Sequence, residues 1–350
     1  MTRSPIVLGS TTPPLADWHT RGLIGGWPAN EACDGLLPGD ATYGYDLASL
    51  LDRPAPPPEP ADFDAFWAAT AAEADAGPPS LRLAAPDPAP GRLRETHTVQ
   101  TGTFTSIGGN VIGCWVLLPR SGSARRNLTF AHGYGGRYSP DFEEELVEPD
   151  DAVILPCLRG LGALSLRPDI PAAGAEHVLH GIESREGYVL RGCVADVWRA
   201  SAELDNLTGA AEHAYYGPSF GGGIGALALV HGRYRRAALH VPTFGHHPLR
   251  LRFPSIGSGA GLRRRLATDP SILHVLAYFD AMTAARRVTT PTIVCAALWD
   301  PSVPPPGQFA VYHGLAGEKQ LVVQDAAHTD FPGQQAQDRS RVELLRRWLH

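Results

Sequence analysis

Lysine is almost missing from this chain: Lys319 is the only one among 30 basic residues. Arginine therefore carries nearly all the positive charge, and it is scattered rather than gathered into runs. With a net charge of −6, that distribution argues against a nucleic acid or an anionic membrane surface as partner. Apolar runs of eighteen residues are also missing, so no membrane-spanning helix is expected. The early run Ile6 to Leu8 stops well before Pro13-Pro14 and is too short for a signal-peptide core, which leads to the expectation of a soluble, cytoplasmic protein. The five cysteines (Cys33, Cys114, Cys157, Cys193 and Cys295) contain no CxxC and no Cys/His pairing, which excludes the usual zinc patterns and favours reduced thiols. The pair His246-His247 has no third ligand at a sensible spacing and reads as a polar loop. No metal site is expected.

What is present describes a globular enzyme-sized chain. At 350 residues, 43% hydrophobic and 19% charged, it suits one core with insertions. Residues 1 to about 58 are rich in Gly, Pro and polar residues, with Trp18 and Trp27 isolated, and read as an N-terminal arm with little regular structure. From residue 59 to 350 the pattern is that of one domain. Residues 61–76 place Phe63, Phe66, Trp67 and Thr70 at helical spacing, with Asp62 suited to an early-turn or cap position. Two strand-like segments, 95–104 and 111–118, are joined through Gly108-Gly109-Asn110 as a hairpin. Short apolar runs then alternate with helix-length stretches: 128–131, 152–155, 213–216, 237–241, 292–298 and 320–323. Helices are predicted over 184–207, over 221–231 with Gly232 as the stop, and at the C-terminus to about Leu349. This alternation predicts an α/β architecture, a mostly parallel central sheet flanked by helices. The stretch 243–275 is too long for a plain crossover and is expected to form a cap insertion over the carboxyl edge of the sheet.

Gly217-Pro218-Ser219-Phe220-Gly221 matches G-x-S-x-G between a strand and a helix, the setting that exposes a nucleophilic serine. Gly217 and Gly221 are required because the turn is so tight that side chains there would collide. A serine hydroxyl needs a base, and the base needs an orienting carboxylate. In such folds the acid and histidine follow on loops after later strands. Asp300 directly follows the run 292–298, 81 residues after Ser219, and His328 follows the run 320–323, 28 residues further on. Asp325 and Asp330 are competitors for the acid role, but neither follows a strand of its own. The oxyanion hole is expected to combine the N–H of Phe220 with that of Tyr134, in the glycine-rich loop His132-Gly133-Tyr134-Gly135-Gly136. Tyr134, Phe220 and Trp299 are candidates for the pocket wall. Arg159 is read as a structural brace near the nucleophile in preference to a substrate contact.

These residues resemble the acetyl xylan esterase and cephalosporin C deacetylase family of α/β-hydrolases, from about Asp62 to the C-terminus. Asp62-Phe63-Asp64-Ala65-Phe66-Trp67 is similar to the family's N-terminal helix signature, and His132–Gly136 to its oxyanion loop. Arg159-Gly160-Leu161-Gly162 with Ser165, Tyr278-Phe279-Asp280, and Val303 to Gln308 also match. The resemblance implies an α/β-hydrolase fold, hydrolysis of small O-acetyl esters of small molecules or sugars, no cofactor, and a homo-oligomer, typically a hexamer. It puts the catalytic roles on Ser219, Asp300 and His328. Three positions depart from the pattern: Phe220 and Leu161 stand where Gln is usual, and Thr329 where Glu is usual. The same three side chains would also serve an acyltransferase, which the sequence does not separate from a hydrolase.

Overall fold

The computed structural model describes residues 4–9, 40–140, 143–231 and 233–350. Trp18, Trp27, Cys33 and Gly232 lie outside the described residues. In chain order the strands are β1 (Ile6–Val7), β2 (Arg82–Leu83), β3 (Asp87–Pro88), β4 (His97–Thr105), β5 (Val111–Pro119), β6 (Arg126–Phe130), β7 (Asp151–Pro156), β8 (Glu212–Pro218), β9 (Arg236–His240), β10 (Thr292–Trp299) and β11 (Lys319–Ala326). They join one sheet in the order β1-β11-β10-β9-β8-β6-β7-β5-β4-β2, with β3 also paired to β4. Neighbours from β1 through β7 along that order are parallel, and the β4–β5 hairpin is antiparallel.

The parallel strands are apolar nearly throughout because both sheet faces are covered. Side chains alternate between two cores. On β8, Tyr215 joins the core that holds Trp67, Trp198 and Phe279, whereas Ala214 and Tyr216 join the one that holds Phe130, Leu345 and Trp348. On β10, Val294 and Ala296 face the first core, and Ile293 and Cys295 the second.

The helices are α1 (Leu47–Leu51), α2 (Phe63–Asp75), α3 (Gly174–His177), α4 (Val189–Thr208), α5 (Phe220–Ala228), α6 (His247–Arg250), α7 (Ser258–Thr268), α8 (Ile272–Leu276), α9 (Ala281–Ala285), α10 (Pro305–Gly314) and α11 (Gln334–Leu349). Helix α2 buries Phe63, Phe66, Trp67, Thr70 and Ala74, and the Trp67 indole N–H donates to the Tyr278 carbonyl at 2.9 Å. Asp62 does not cap it; its carboxylate pairs with Arg185 at 2.6 Å instead.

Two sequence expectations change. The arm is not wholly irregular: Ile6–Val7 adds to β11 as a parallel edge strand, and α1 forms behind an Asp46/Ser49 capping box. A two-residue strand is too short to reveal alternation; the open edge of β11 selects it. The helix expected from Ser184 begins at Val189, because residues 184–188 form a turn in which the Ser184 hydroxyl accepts the Gly187 N–H at 3.0 Å. Short polar side chains compete with helix in this way. The helix ends where Gly209 takes a left-handed φ of 68° and returns its N–H to the Asp205 carbonyl.

The long insertion after β9 folds as α6, α7 and α8. It touches the loop beyond β10 through the Ile256 N–H, which donates to the Pro301 carbonyl at 3.1 Å. The arm meets the same loop: Asp300 N–H donates to the Ala41 carbonyl at 3.1 Å, and the Tyr43 hydroxyl to the Asp300 carbonyl at 3.3 Å.

Candidate active site

Strand β8 ends in a turn that forces Ser219 to φ 51°, ψ −109°, a backbone state that L-residues occupy only when their surroundings impose it. Here they do. The Ser219 N–H donates to the His240 carbonyl at 2.7 Å, and the Ser219 carbonyl accepts from Gly223 and Thr243. A Cβ at Gly217 would stand 2.4 Å from the Gly221 carbonyl oxygen, and one at Gly221 would stand 2.9 Å from both Ala131 Cβ and His132 O. Only glycine fits at either position.

His328 lies beyond β11, also at positive φ, 53°. Its Nε2 is 3.0 Å from Ser219 Oγ, and its Nδ1 is 2.8 Å from Asp300 Oδ2. The imidazole is 26% exposed, while Asp300 is fully buried. Asp300 Oδ1 accepts the Ser302 and Val303 N–H groups, each at 2.9 Å, and Oδ2 also accepts Gln308 Nε2 at 2.8 Å. Both carboxylate oxygens thus have two donors, as an acceptor-only group requires. Gln308 in turn accepts the Ala297 N–H at 2.8 Å. No local pattern points to that role, although Gln308 ends the stretch 303–308 that resembles the family.

The loop after β6 is tied down by His132. This side chain is buried, its Nδ1–H donates to the Gly133 carbonyl at 2.7 Å, and its Nε2 accepts the Leu158 N–H at 3.0 Å. Burial pushes it down to about 3, so the ring is neutral near pH 7. A Cβ at Gly133 would stand 3.8 Å from Ser219 Cβ, which sets the loop beside the nucleophilic turn. The Phe220 N–H is in the first turn of α5, among the amides that have no partner within their own helix.

The expected pocket wall needs correction. Phe220 and Trp299 are fully buried, so neither offers ring surface to a ligand in this structure. Phe220 is packed among His132, Tyr134, His177 and Phe244, with its ring centroid 4.1 Å from that of Tyr134. Tyr134 is partly exposed. Arg159 forms a bidentate pair with Asp196 of α4, Nε–Oδ2 at 3.0 Å and Nη2–Oδ1 at 2.6 Å, and so acts as a brace. His246 and His247 point their Nε2 atoms at the carbonyls of Ala55 and Phe279. Cys114, Cys157, Cys193 and Cys295 are buried thiols; burial pushes Cys295 up to about 12, which leaves it unreactive. A cavity of about 540 Å³ between α1 and α6, lined by Tyr45, Arg53, His246 and Phe309, does not include Ser219. Among the described residues no helix is long and apolar enough to cross a membrane.

A mostly parallel sheet with a strained serine turn after one strand, and an acid and a histidine after two later ones, defines the α/β-hydrolase fold. Solved structures share it. An acetyl xylan esterase from Paenibacillus sp. R4 superposes with a TM-score of 0.74 at 22% identity, covering 86% of this chain and 99% of that one. The acetyl xylan esterase 1 of Thermoanaerobacterium sp. JW/SL YS485 gives 0.72 at 20% identity, with the same coverage. An acylaminoacyl peptidase from Pyrococcus horikoshii gives 0.56 at 17% identity, over 72% of this chain and 41% of that one. The model of the acetyl xylan esterase (AXE1) family matches residues 46–344. The chain belongs to that family and is a carboxylic ester hydrolase of the deacetylase type.

Proposed function

We propose that this protein removes a small acyl group, acetyl in the first instance, from an O-acylated small molecule or sugar through an acyl-enzyme on Ser219. The observation that carries the reading is the unbroken chain Ser219 Oγ, His328 Nε2, His328 Nδ1, Asp300 Oδ2. Ser219 Oγ attacks the acyl carbonyl and its proton passes to His328 Nε2. Asp300 holds the imidazole in the tautomer that accepts at Nε2 and stabilises the imidazolium that forms. The tetrahedral oxyanion is held by the N–H groups of Phe220 and Tyr134, each such donor being worth about 3 kcal/mol in the transition state. Collapse breaks the C–O bond, and His328 returns the proton to the departing alcohol. Water then attacks the acyl-enzyme with His328 as base, releasing the acid and restoring Ser219.

The sugar ester is supported by the printed names of the two structural relatives, which are acetyl xylan esterases. A cytoplasmic homo-oligomer, hexameric by family resemblance, belongs to the same reading; light scattering on the purified protein tests the assembly. The chemistry is tested by incubation with p-nitrophenyl acetate and with a fluorophosphonate. The expected result is ester turnover and a single adduct on Ser219. An adduct elsewhere, or no turnover, would remove the reading.

A further inference from the structure

Arg250 closes α6, within the insertion that follows β9. Only 2% of it is exposed; an added Cβ at Gly307 would stand 3.5 Å from its Cβ, and one at Gly259 would stand 3.5 Å from its Nη2. Four of the other buried arginines each have a carboxylate: Arg126 with Asp151, Arg159 with Asp196, Arg199 with Glu203, and Arg341 with Glu143. Arg250 has none. Among the described residues its Nη1 and Nη2 are buried without any hydrogen-bond partner, and its guanidinium lies over the Phe244 ring at 5.6 Å.

The neighbours do not supply the missing hydrogen-bond acceptor. Tyr134, Tyr188, Asp280, Tyr43 and His247 stand close enough to act on the charge. Asp280 is occupied by the N–H groups of His246, His247, Met282 and Thr283. The Tyr188 hydroxyl donates to Val178 and that of Tyr43 to Asp300. His247 is a neutral ring, pushed down to about 3 by burial. Burial lowers Arg250 itself to about 10, so it is still a cation near neutral pH. The one other unsatisfied group in this set able to face an anion as a hydroxyl donor is Tyr134 Oη, buried and likewise without a partner.

A buried cation with two bare N–H₂ groups is the rare arrangement that asks for an explanation. Water could complete the hydrogen bonds but not the charge; a carboxylate completes both, and its two oxygens match the guanidinium fork. The position ties this set to the chemistry. Tyr134 belongs to the loop beside Ser219, and its ring stacks on Phe220, the residue after the nucleophile.

We propose that Arg250, with the Tyr134 hydroxyl, binds a carboxylate carried by the ester substrate, so that the protein selects anionic esters over neutral ones. The proposal rests on the hydrolase reading of Ser219 for its substrate, but binding can be read without catalysis. Two matched pairs decide on which side of the ester the charge sits. One is p-nitrophenyl hemisuccinate against its methyl ester, with the charge on the acyl side. The other is 4-acetoxybenzoate against its methyl ester, with the charge on the leaving side. In one pair kcat/KM is expected to favour the carboxylate by about tenfold or more. Arg250→Met should bring that ratio to one or below, and Arg250→Lys should keep part of it. A purely structural role would slow both members of a pair equally and leave the ratio unchanged, which overturns the proposal, as does a wild-type ratio at or below one in both pairs. Independently of turnover, succinate or benzoate should raise the melting temperature of the wild type more than succinamide or benzamide does. No difference between acid and amide would also overturn it. Turnover of neutral esters without carboxylate preference defeats this proposal alone; absence of all turnover, with the acid still bound, defeats the hydrolase reading alone.

Discussion

Ser219 and His328, 109 residues apart in the chain, meet at 3.0 Å with both backbones held at positive φ. Each residue is pinned by the loop it sits in, so the hydroxyl and the imidazole are brought together before any ligand arrives. Such preorganisation converts the proton transfer into a step within one rigid unit.

Ser219→Ala removes the nucleophile without touching the turn. The expected loss in p-nitrophenyl acetate turnover is on the order of 10⁶ in kcat, as for a triad acting as a unit, with an unchanged circular dichroism spectrum. More than a few per cent residual activity would take Ser219 out of the mechanism.

Asp300→Asn keeps the shape but favours the wrong imidazole tautomer, and kcat should fall by about 10⁴. Asp325→Asn, whose carboxyl is not the one at His328 Nδ1, should be far milder. The reverse order would reassign the acid.

Gln308→Leu takes one donor from Asp300 Oδ2 and the acceptor from the Ala297 N–H. The expected outcome is a kcat about tenfold lower, and a stability loss of about 1–3 kcal/mol from the orphaned buried amide. Urea denaturation read beside the kinetics separates the two effects; loss of stability alone would mean that Gln308 supports the fold and not the acid.

Asp196→Ala strands the Arg159 guanidinium in the core. A buried pair broken on one side costs about 3–5 kcal/mol, so the denaturation midpoint should fall steeply. A shift of less than ~1 kcal/mol would show that water reaches Arg159 and that it is not a brace.

Acid should destabilise the fold before the carboxylates titrate. Burial holds His132 and His247 at about 3 and His177 at about 4, against an ordinary 6.5. Between pH 6.5 and about 4 the unfolded chain therefore takes up protons that the folded chain refuses. Folded stability is complete above 6.5 and declines as pH falls through that window, by up to ~1.4 kcal/mol per pH unit for each such histidine. Denaturation midpoints at pH 7.5, 6.0 and 5.0 measure the slope; a flat profile would mean that these rings are hydrated.

What the amino-acid order determined by itself was local. The Gly217–Gly221 turn is legible because two glycines and a serine between a strand and a helix have one steric solution. The parallel sheet is legible because strands covered on both faces must be apolar along their length, as 292–299 is. The place of Asp300 and His328 after their own strands follows from the same punctuation. Tertiary structure alone decided that Gln308 supports Asp300, that Ile6–Val7 completes the edge of β11, and that Phe220 and Trp299 turn inward. It also left Arg250 in the core without a hydrogen-bonded carboxylate among the described residues. Each of these is a contact between groups far apart in the chain, and its energy depends on the distance and burial that only packing creates; periodicity and turn chemistry register neither.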